Sequence, residues 1–354
     1  MLKQEVKTSP RLTSLAHGGG CGCKLAPSVL AEILKDMPQI GAFSDLLVGL
    51  ETSDDAAVYQ INEDQAIIAT TDFFMPIVDD PYDFGQIAAC NALSDVFAMG
   101  GRPILALAIV GMPVAKMNVD TIRAILAGGS AVCKDAGIPV AGGHSIDSAE
   151  PIYGLVAIGT VDPKRILRNS AAERGDVLIL TKRLGVGIFS AALKKEALGE
   201  TEYAEMLAST TQLNSVGPEL AQIAGVHAMT DVTGFGLLGH AMEMCRGSSL
   251  SLKLDMRSVP LFPAALELAR RGFVTGASKR NWESYGHDVL LPGAFAEWRR
   301  DVLCDPQTNG GLLISCAELA APSVLDLLAG RDYTYAGQIG RFEEGPARVT
   351  VLDG

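Results

Sequence analysis

Ser53-Asp54-Asp55-Ala56-Ala57-Val58-Tyr59-Gln60-Ile61-Asn62-Glu63-Asp64-Gln65-Ala66-Ile67-Ile68-Ala69-Thr70-Thr71-Asp72-Phe73-Phe74 reads as one hairpin. Ala56–Ile61 and Ala66–Phe74 are rich in the β-branched and aromatic residues of strands, and Asn62–Gln65 between them is turn material. Acids mark both outer ends, Asp54-Asp55 on the way in and Asp72 on the way out. An antiparallel pair brings such ends close together.

Outward from the hairpin, strands and helices alternate. Asp83–Met99 reads as a helix stopped by Gly100-Gly101 and Pro103, with Asn91 and Asp95 four apart on one face. Leu105–Val110 is a buried strand, Val119–Asp135 a second long helix, Ala141–Asp147 a loop and Tyr153–Val161 another strand. Upstream, Pro27 opens a helix to Asp36 with Val29, Leu30, Ile33 and Leu34 on one side. This order predicts an α+β first domain. The polar stretch Asp162–Arg174 marks a boundary. Beyond it, Val177–Thr181, Ala228–Thr233, Leu250–Leu254, Leu312–Ser315, Tyr335–Ile339 and Ala347–Val351 read as strands. Helices are expected at Ile188–Ala197, on to about Ala224, and at Leu237–Cys245, Pro263–Arg271 and Pro322–Leu328. The expected organisation is a flexible glycine-rich flap over 1–26, an N-terminal domain over 27–165 and a C-terminal α/β domain over 166–354.

The chain is long enough for two cores, 48% of its residues are hydrophobic, and its net charge is −12. An acidic surface without a Lys/Arg run argues against nucleic acid as a partner. The apolar run Ile104–Ala115 is too short to cross a bilayer, and Met1–Lys7 lacks a signal-peptide core, so the expectation is a cytoplasmic protein without a membrane partner. Seven scattered cysteines form no disulfide framework. Cys90, Cys133, Cys245 and Cys316 lie in apolar stretches and read as core residues.

Cys21 and Cys23 sit differently, in His17-Gly18-Gly19-Gly20-Cys21-Gly22-Cys23-Lys24. A lysine three residues from Cys21 is expected to favour its thiolate. Glycines let such a segment lie close to a ligand, which suggests a catalytic flap. A plain flexible leader is the simpler alternative. Structural zinc is disfavoured by the one-residue Cys spacing. Asp54, Asp55, Asp72, Asp95 and Asp231 each suit a cap or turn when taken singly. Together with Asn91 they suit a hard cation such as Mg²⁺ shared with substrate phosphates. Gly142-Gly143-His144 and Gly234-Phe235-Gly236 can aim backbone N–H groups at phosphate or be plain turns, and neither is a Walker or Rossmann motif. Asp305–Gly311 reads as a structural turn cluster.

Six segments then resemble one family in collinear order: 17–24, Ser53–Tyr59, Asn91–Gly101, Gly142–Asp147, Thr230–His240 and Asp305–Leu313. They look like selenophosphate synthetase (selenide, water dikinase). The aspartate motifs are shared more loosely with aminoimidazole ribonucleotide synthetase, thiamine-monophosphate kinase and a hydrogenase maturation protein. The resemblance implies an α+β, two-domain aminoimidazole ribonucleotide synthetase-like fold, usually a homodimer with ATP near the interface. It implies Cys21 and Lys24 as catalytic residues, and Asp55, Asp95 and Asp231 as Mg²⁺ ligands. Lys24, Thr52, Ser53, Asp54, Asp72, Asn91, Asp95 and the Gly143-His144-Ser145 loop would serve the ATP site. K⁺ is a further candidate cofactor. The implied reaction joins selenide, free or from a carrier protein, to ATP and water, giving selenophosphate, AMP and phosphate. Asn309 departs from the family pattern, where Ser is expected, and reads as a minor loop change. A related ATP enzyme with another substrate leaves Cys21–Lys24 without a role. A non-catalytic thiol or metal carrier leaves the aspartates without one.

Overall fold

A computed structural model describes residues 10–25, 27–35, 43–49 and 54–353. The N-terminal half contains α1 (Pro27–Leu34), β1 (Leu46–Val48), β2 (Ala57–Asn62), β3 (Gln65–Phe74), α2 (Pro81–Ala98), β4 (Arg102–Met112), α3 (Val119–Asp135), β5 (Val140–Asp147) and β6 (Ile152–Val161). Its six strands run in the order β1-β2-β3-β6-β4-β5. The hairpin forms as read, with Ala57 opposite Ala69, and β3 then pairs along its length with β6. Alternation along β3 buries Ala66, Ile68, Asp72 and Phe74 on the face covered by α2. The other face keeps Ile67, Phe73, Leu105, Leu107, Val156 and Ile158 partly or largely exposed.

Helix α2 lies at the centre of the molecule. Asp80 caps it by accepting the Asp83 N–H at 2.9 Å, and Pro81 takes the first turn. It is buried on nearly every side, because the sheet, α3 and the C-terminal half all pack on it. Glycines permit the close approach of α3. A Cβ on Gly85 would overlap the Ile125 carbonyl, and one on Gly128 the Tyr82 carbonyl.

The C-terminal half contains β7 (Val177–Leu180), α4 (Val186–Lys194), α5 (Glu200–Thr210), α6 (Gly217–Leu220), β8 (Val226–Asp231), α7 (Gly236–Ser248), β9 (Ser251–Asp255) and α8 (Pro263–Arg270). It continues with α9 (Gly276–Tyr285), β10 (Val289–Leu290), α10 (Glu297–Leu303), β11 (Leu312–Cys316), α11 (Ala321–Ala329), β12 (Gly337–Glu343) and β13 (Arg348–Leu352). The sheet order is β10-β13-β9-β12-β7-β11-β8, with β7 and β11 wholly buried between two apolar layers. Cys90, Cys133, Cys245 and Cys316 are core residues, as expected.

Three expectations change. Ala141–Asp147 is not a loop but most of edge strand β5, held by parallel pairing that sets Ser145 beside Val110. Its Gly-Gly-His-Ser composition hides this, because the pairing is supplied by β4. The helical region toward Ala224 breaks after α5, where buried Asn214 donates to Ser94 Oγ and the Gly310 carbonyl. Helices α9 and α10 and the short strand β10 were not foreseen.

Of the flap expected over 1–26, residues 10–25 are docked in this structure, and 1–9 and 26 lie outside the described residues. Leu12, Ala16 and Cys21 are buried. Arg11 Nε donates to Asp79 at 2.7 Å, and the Thr13 hydroxyl donates to the same carboxylate at 2.6 Å. Gly20 N–H reaches the Met75 carbonyl at 2.8 Å, while Lys194 Nζ from α4 donates to the Ala16 carbonyl at 3.0 Å. The leader thus bridges both halves.

Replacing Gly128 by Val is expected to force α2 and α3 apart and cost about 3 kcal/mol. Urea denaturation followed by circular dichroism measures this, and an unchanged midpoint would refute the close-packing account.

Candidate active site

The hairpin ends, α2 and the end of β8 converge as their acids suggest. One carboxylate oxygen from each of Asp55, Asp95 and Asp231 lies within 4.8 Å of the other two. Asp231 is buried, and Asp55 and Asp95 are half-buried. Each is steered by a hydroxyl. Thr230 Oγ1 donates to Asp55 Oδ1 at 2.7 Å, Thr70 Oγ1 to Asp95 Oδ2 at 2.6 Å, and Ser94 Oγ to Asp231 Oδ2. Asp55 Oδ2 is buried without a hydrogen-bond partner. Burial, then mutual repulsion, raises the pKa values of Asp55 and Asp95 well above the usual carboxylate range. That of Asp231 is also raised, by burial first. An unpartnered oxygen among hard, crowded carboxylates fits a divalent cation such as Mg²⁺.

Asn91 organises the adjoining side. Its Nδ2 donates to Asp72 Oδ2, while its Oδ1 accepts from Cys21 Sγ at 3.1 Å and from the Asn309 N–H at 2.7 Å. Lys24 Nζ lies 3.4 Å from Asp72 Oδ2. Desolvation by the surrounding protein opposes the charge on Lys24, but Asp72, supported by Asp95 and Asp231, outweighs it and raises its pKa, so it stays an ammonium. The expected activation of Cys21 does not hold in this docked state. Burial, reinforced by Asp72, pushes the thiol pKa well up, and the opposing pull of Lys24 is smaller. Cys21 is therefore a protonated thiol donating to Asn91.

The Asp305–Gly311 loop, a family motif whose residues by themselves read as turn structure, builds much of this arrangement. Asp305 Oδ2 accepts the Gly187 N–H at 2.9 Å, and Gln307 Oε1 accepts those of Gly185 and Val186, so the loop caps α4. Thr308 Oγ1 accepts the Cys21 N–H at 3.2 Å. Asn309 is fully buried at φ 47°, a left-handed conformation that Asn tolerates better than most residues. Its Nδ2 donates to the Thr210 and Gln212 carbonyls at 2.8 and 2.9 Å. The departure from Ser is therefore no minor surface change, because it sits on the network that holds Asn91. Gly234 seats the leader, since a Cβ there would lie 2.7 Å from the Cys21 carbonyl oxygen. Thr70, Ser94, Thr230 and Thr308 were also missed. Ser94 had a signal, three residues from Asn91 and next to Asp95 on the polar face of a largely apolar helix.

Other expected residues lie elsewhere. The Asp54 carboxylate accepts the Asn169 N–H at 2.7 Å and ties the hairpin to the interdomain segment. Gly143, His144 and Ser145 are exposed on edge strand β5. Two strands, β6 and β4, separate β5 from β3 and Asp72, a span of about 14 Å at ordinary strand spacing. Thr52 and Ser53 fall outside the described residues.

Residues 53–161 match the AIR synthase related protein N-terminal domain family, and residues 173–352 its C-terminal domain family. The selenide, water dikinase of Paraburkholderia xenovorans is 59% identical over 345 residues, covering 98% of each chain. That of Rhizobium meliloti is 57% identical over 344 residues, covering 97% of this chain and 99% of its own. The chain belongs to the selenide, water dikinase family. Two similar solved structures are more distant from this family member than those relatives. A thiamine-monophosphate kinase from Stenotrophomonas maltophilia superposes with a TM-score of 0.64 at 21% identity, covering 93% of this chain and 96% of its own. A HypE–HypF complex superposes at 0.68 with 16% identity, covering 92% and 96%. At such identities they establish the shared fold alone, which is the α+β, two-domain arrangement expected from sequence.

The raised carboxylate pKa values fix a sign for this family member. The folded chain binds protons more tightly than the unfolded chain. The stability so gained is full below the ordinary carboxylate range and is lost as pH rises through the raised values. Asp55→Asn is thus expected to raise the melting temperature of the metal-free chain at pH 8 by about 2–4 °C. The gain should shrink as the pH approaches 5. Scanning calorimetry with chelator tests this, and a variant less stable than the parent at pH 8 would contradict it.

Proposed function

We propose that this chain makes selenophosphate, with Asp55, Asp95 and Asp231 as ligands for Mg²⁺, Lys24 and Asp72 beside the nucleotide phosphates, and Cys21 as the group that meets selenium. The substrates are selenide, ATP and water, and the products are selenophosphate, AMP and orthophosphate. The observation that carries this reading is the convergence of a docked Cys21-Gly22-Cys23-Lys24 segment with three crowded carboxylates through Asn91.

The difficulty in this chemistry is bringing hydroselenide, an anion, to a phosphoryl group that is also anionic. Mg²⁺, when bound, supplies charge neutralisation at the phosphates. The Lys24 ammonium adds a second positive charge on the leader side. Sulfur is a soft atom suited to selenium, whereas Lys24 and the aspartates suit phosphate oxygens. In the docked state Cys21 holds its proton against Asn91. Movement of the leader would return Cys21 toward water and lower its pKa, and Lys24 would then favour the thiolate. The buried docked state excludes bulk water while selenide reacts, which limits simple ATP hydrolysis. The second step needs one water at the remaining diphosphate.

³¹P NMR of the full chain with Mg²⁺, ATP and selenide is expected to reveal a selenium-bonded phosphorus together with AMP. Cys21→Ser should abolish that signal while nucleotide binding, followed by calorimetry, is retained. ADP as the sole nucleotide product would sink the reading.

The same reading includes a homodimer. Gly143, His144 and Ser145 reach an ATP bound at Asp72 most simply from a second copy. The sheet face with Phe73, Leu105, Leu107, Val156 and Ile158 exposed to varying degrees supplies an apolar surface for that contact. Sedimentation velocity is expected to give a dimer, and Leu107→Glu to yield monomer with impaired nucleotide binding. A parent chain that is monomeric at micromolar concentration would exclude this arrangement.

A further inference from the structure

The leader has a second side. Away from the carboxylates it lines a cavity of about 610 Å³, with the leader and Val29 facing Pro76, Ile77 and the C-terminal half. Lys24, Lys194, Arg280 and His17 line it, and among the described residues no Asp or Glu does, although the chain carries a net charge of −12. His17 is paired with Glu150, and Lys24 lies 3.4 Å from Asp72. Lys194 and Arg280 are different. Lys194 donates to the Ala16 and His17 carbonyls, and Arg280 to the Gly22 carbonyl at 3.2 Å. Among the described residues neither forms an ion pair with a carboxylate. Two cations facing one cavity with only neutral partners give it a positive field. Among the described residues the imidazole of His17 is its one aromatic ring, so no Phe, Tyr or Trp face lines it to stack a nucleobase. Cys23 and Thr308 form part of the wall. Thr308 also accepts the Cys21 N–H, so the cavity lies directly behind the proposed selenium-handling thiol.

We infer that this cavity is a binding chamber for a small inorganic anion, adjoining the proposed nucleotide site at Lys24, and that hydroselenide enters through it. The identity of the anion rests on the proposed function, whereas the chamber's preference for anions does not. The leader backbone divides the two compartments, with Cys21 turned to the carboxylates and Cys23 to the chamber. Lys194 and Arg280 draw the anion in, and the leader must shift to pass it to Cys21. A phosphate-class product leaving by the same route would use the same charges.

Cys23 provides a probe that needs no catalysis. In the full chain its alkylation by anionic iodoacetate and neutral iodoacetamide is followed by peptide mass spectrometry. The ratio of the two rates is compared with that of a short Gly-Cys-Gly peptide. The ratio at Cys23 is expected to exceed the peptide's by about tenfold at low salt. In a Lys194→Gln, Arg280→Gln double variant it should fall to the peptide's value while the iodoacetamide rate stays unchanged. Glutamine keeps a hydrogen-bond donor on a shorter side chain and removes the charge. A parent ratio no higher than the peptide's overturns the proposal. So does a variant in which both reagents speed up together, because the cations would then merely hold the leader down. Steady-state kinetics separates the two traffics. A rise of about tenfold in KM for selenide with KM for ATP unchanged assigns the chamber to the incoming anion. Loss of competitive inhibition by orthophosphate with KM for selenide unchanged keeps the chamber but overturns hydroselenide entry. If the alkylation ratios behave as expected in a chain that makes no selenophosphate, the chamber stands and the proposed function fails.

Discussion

Three carboxylates that would repel one another are held together by the fold, and much of the molecule serves to keep them there. Asp55 comes from the hairpin entrance, Asp95 from α2 and Asp231 from the end of β8. No local segment would bring these groups together, because crowding raises the free energy of every ionised form. The opposing force is apolar packing around α2, whose small residues admit the sheet, α3 and the C-terminal half together. Hydroxyls from Thr70, Ser94 and Thr230 then fix one oxygen of each acid. What remains is an oxygen of Asp55 without a partner, the feature that makes a cation the natural complement.

Asn91 is the second constraint. A neutral amide both donates and accepts, so one side chain can hold an anion, a thiol and a backbone N–H together. It donates to Asp72 and accepts from Cys21 and Asn309. This joins the N-terminal sheet, the leader and the C-terminal loop through one residue. The leader is ordered by this network and by the Arg11 and Thr13 contacts to Asp79. Its two sides consequently meet different surroundings, carboxylates on one and, on the other, Lys194 and Arg280, which have no carboxylate partner among the described residues.

Legibility in the sequence followed locality. The hairpin, α2 and α3 were readable because alternation, capping residues and helix stops lie within the elements themselves. Asn91 and Asp95 were readable as one helix face because the spacing of four is a local fact. Edge strand β5 was not, since its glycines carry no strand signal and its partners come from β4. Helix α9 was hidden by its polar composition, Gly-Ala-Ser-Lys-Arg-Asn-Trp-Glu-Ser-Tyr, whose buried side becomes apparent only against α7 and α10. Asn309 looked peripheral because burial and a left-handed backbone leave no mark on a turn-forming string.

The sequence by itself determined which chemical groups are available: hard acids in Asp55, Asp95 and Asp231, a soft thiol at Cys21, a cation at Lys24, and the family to which they belong. Tertiary structure decided their state. Proximity of Cys21 to Lys24 along the chain suggested a thiolate, but burial beside Asp72 keeps the thiol protonated. Charge in a folded chain is governed by desolvation and by neighbours in space, and those neighbours arrive from far along the sequence.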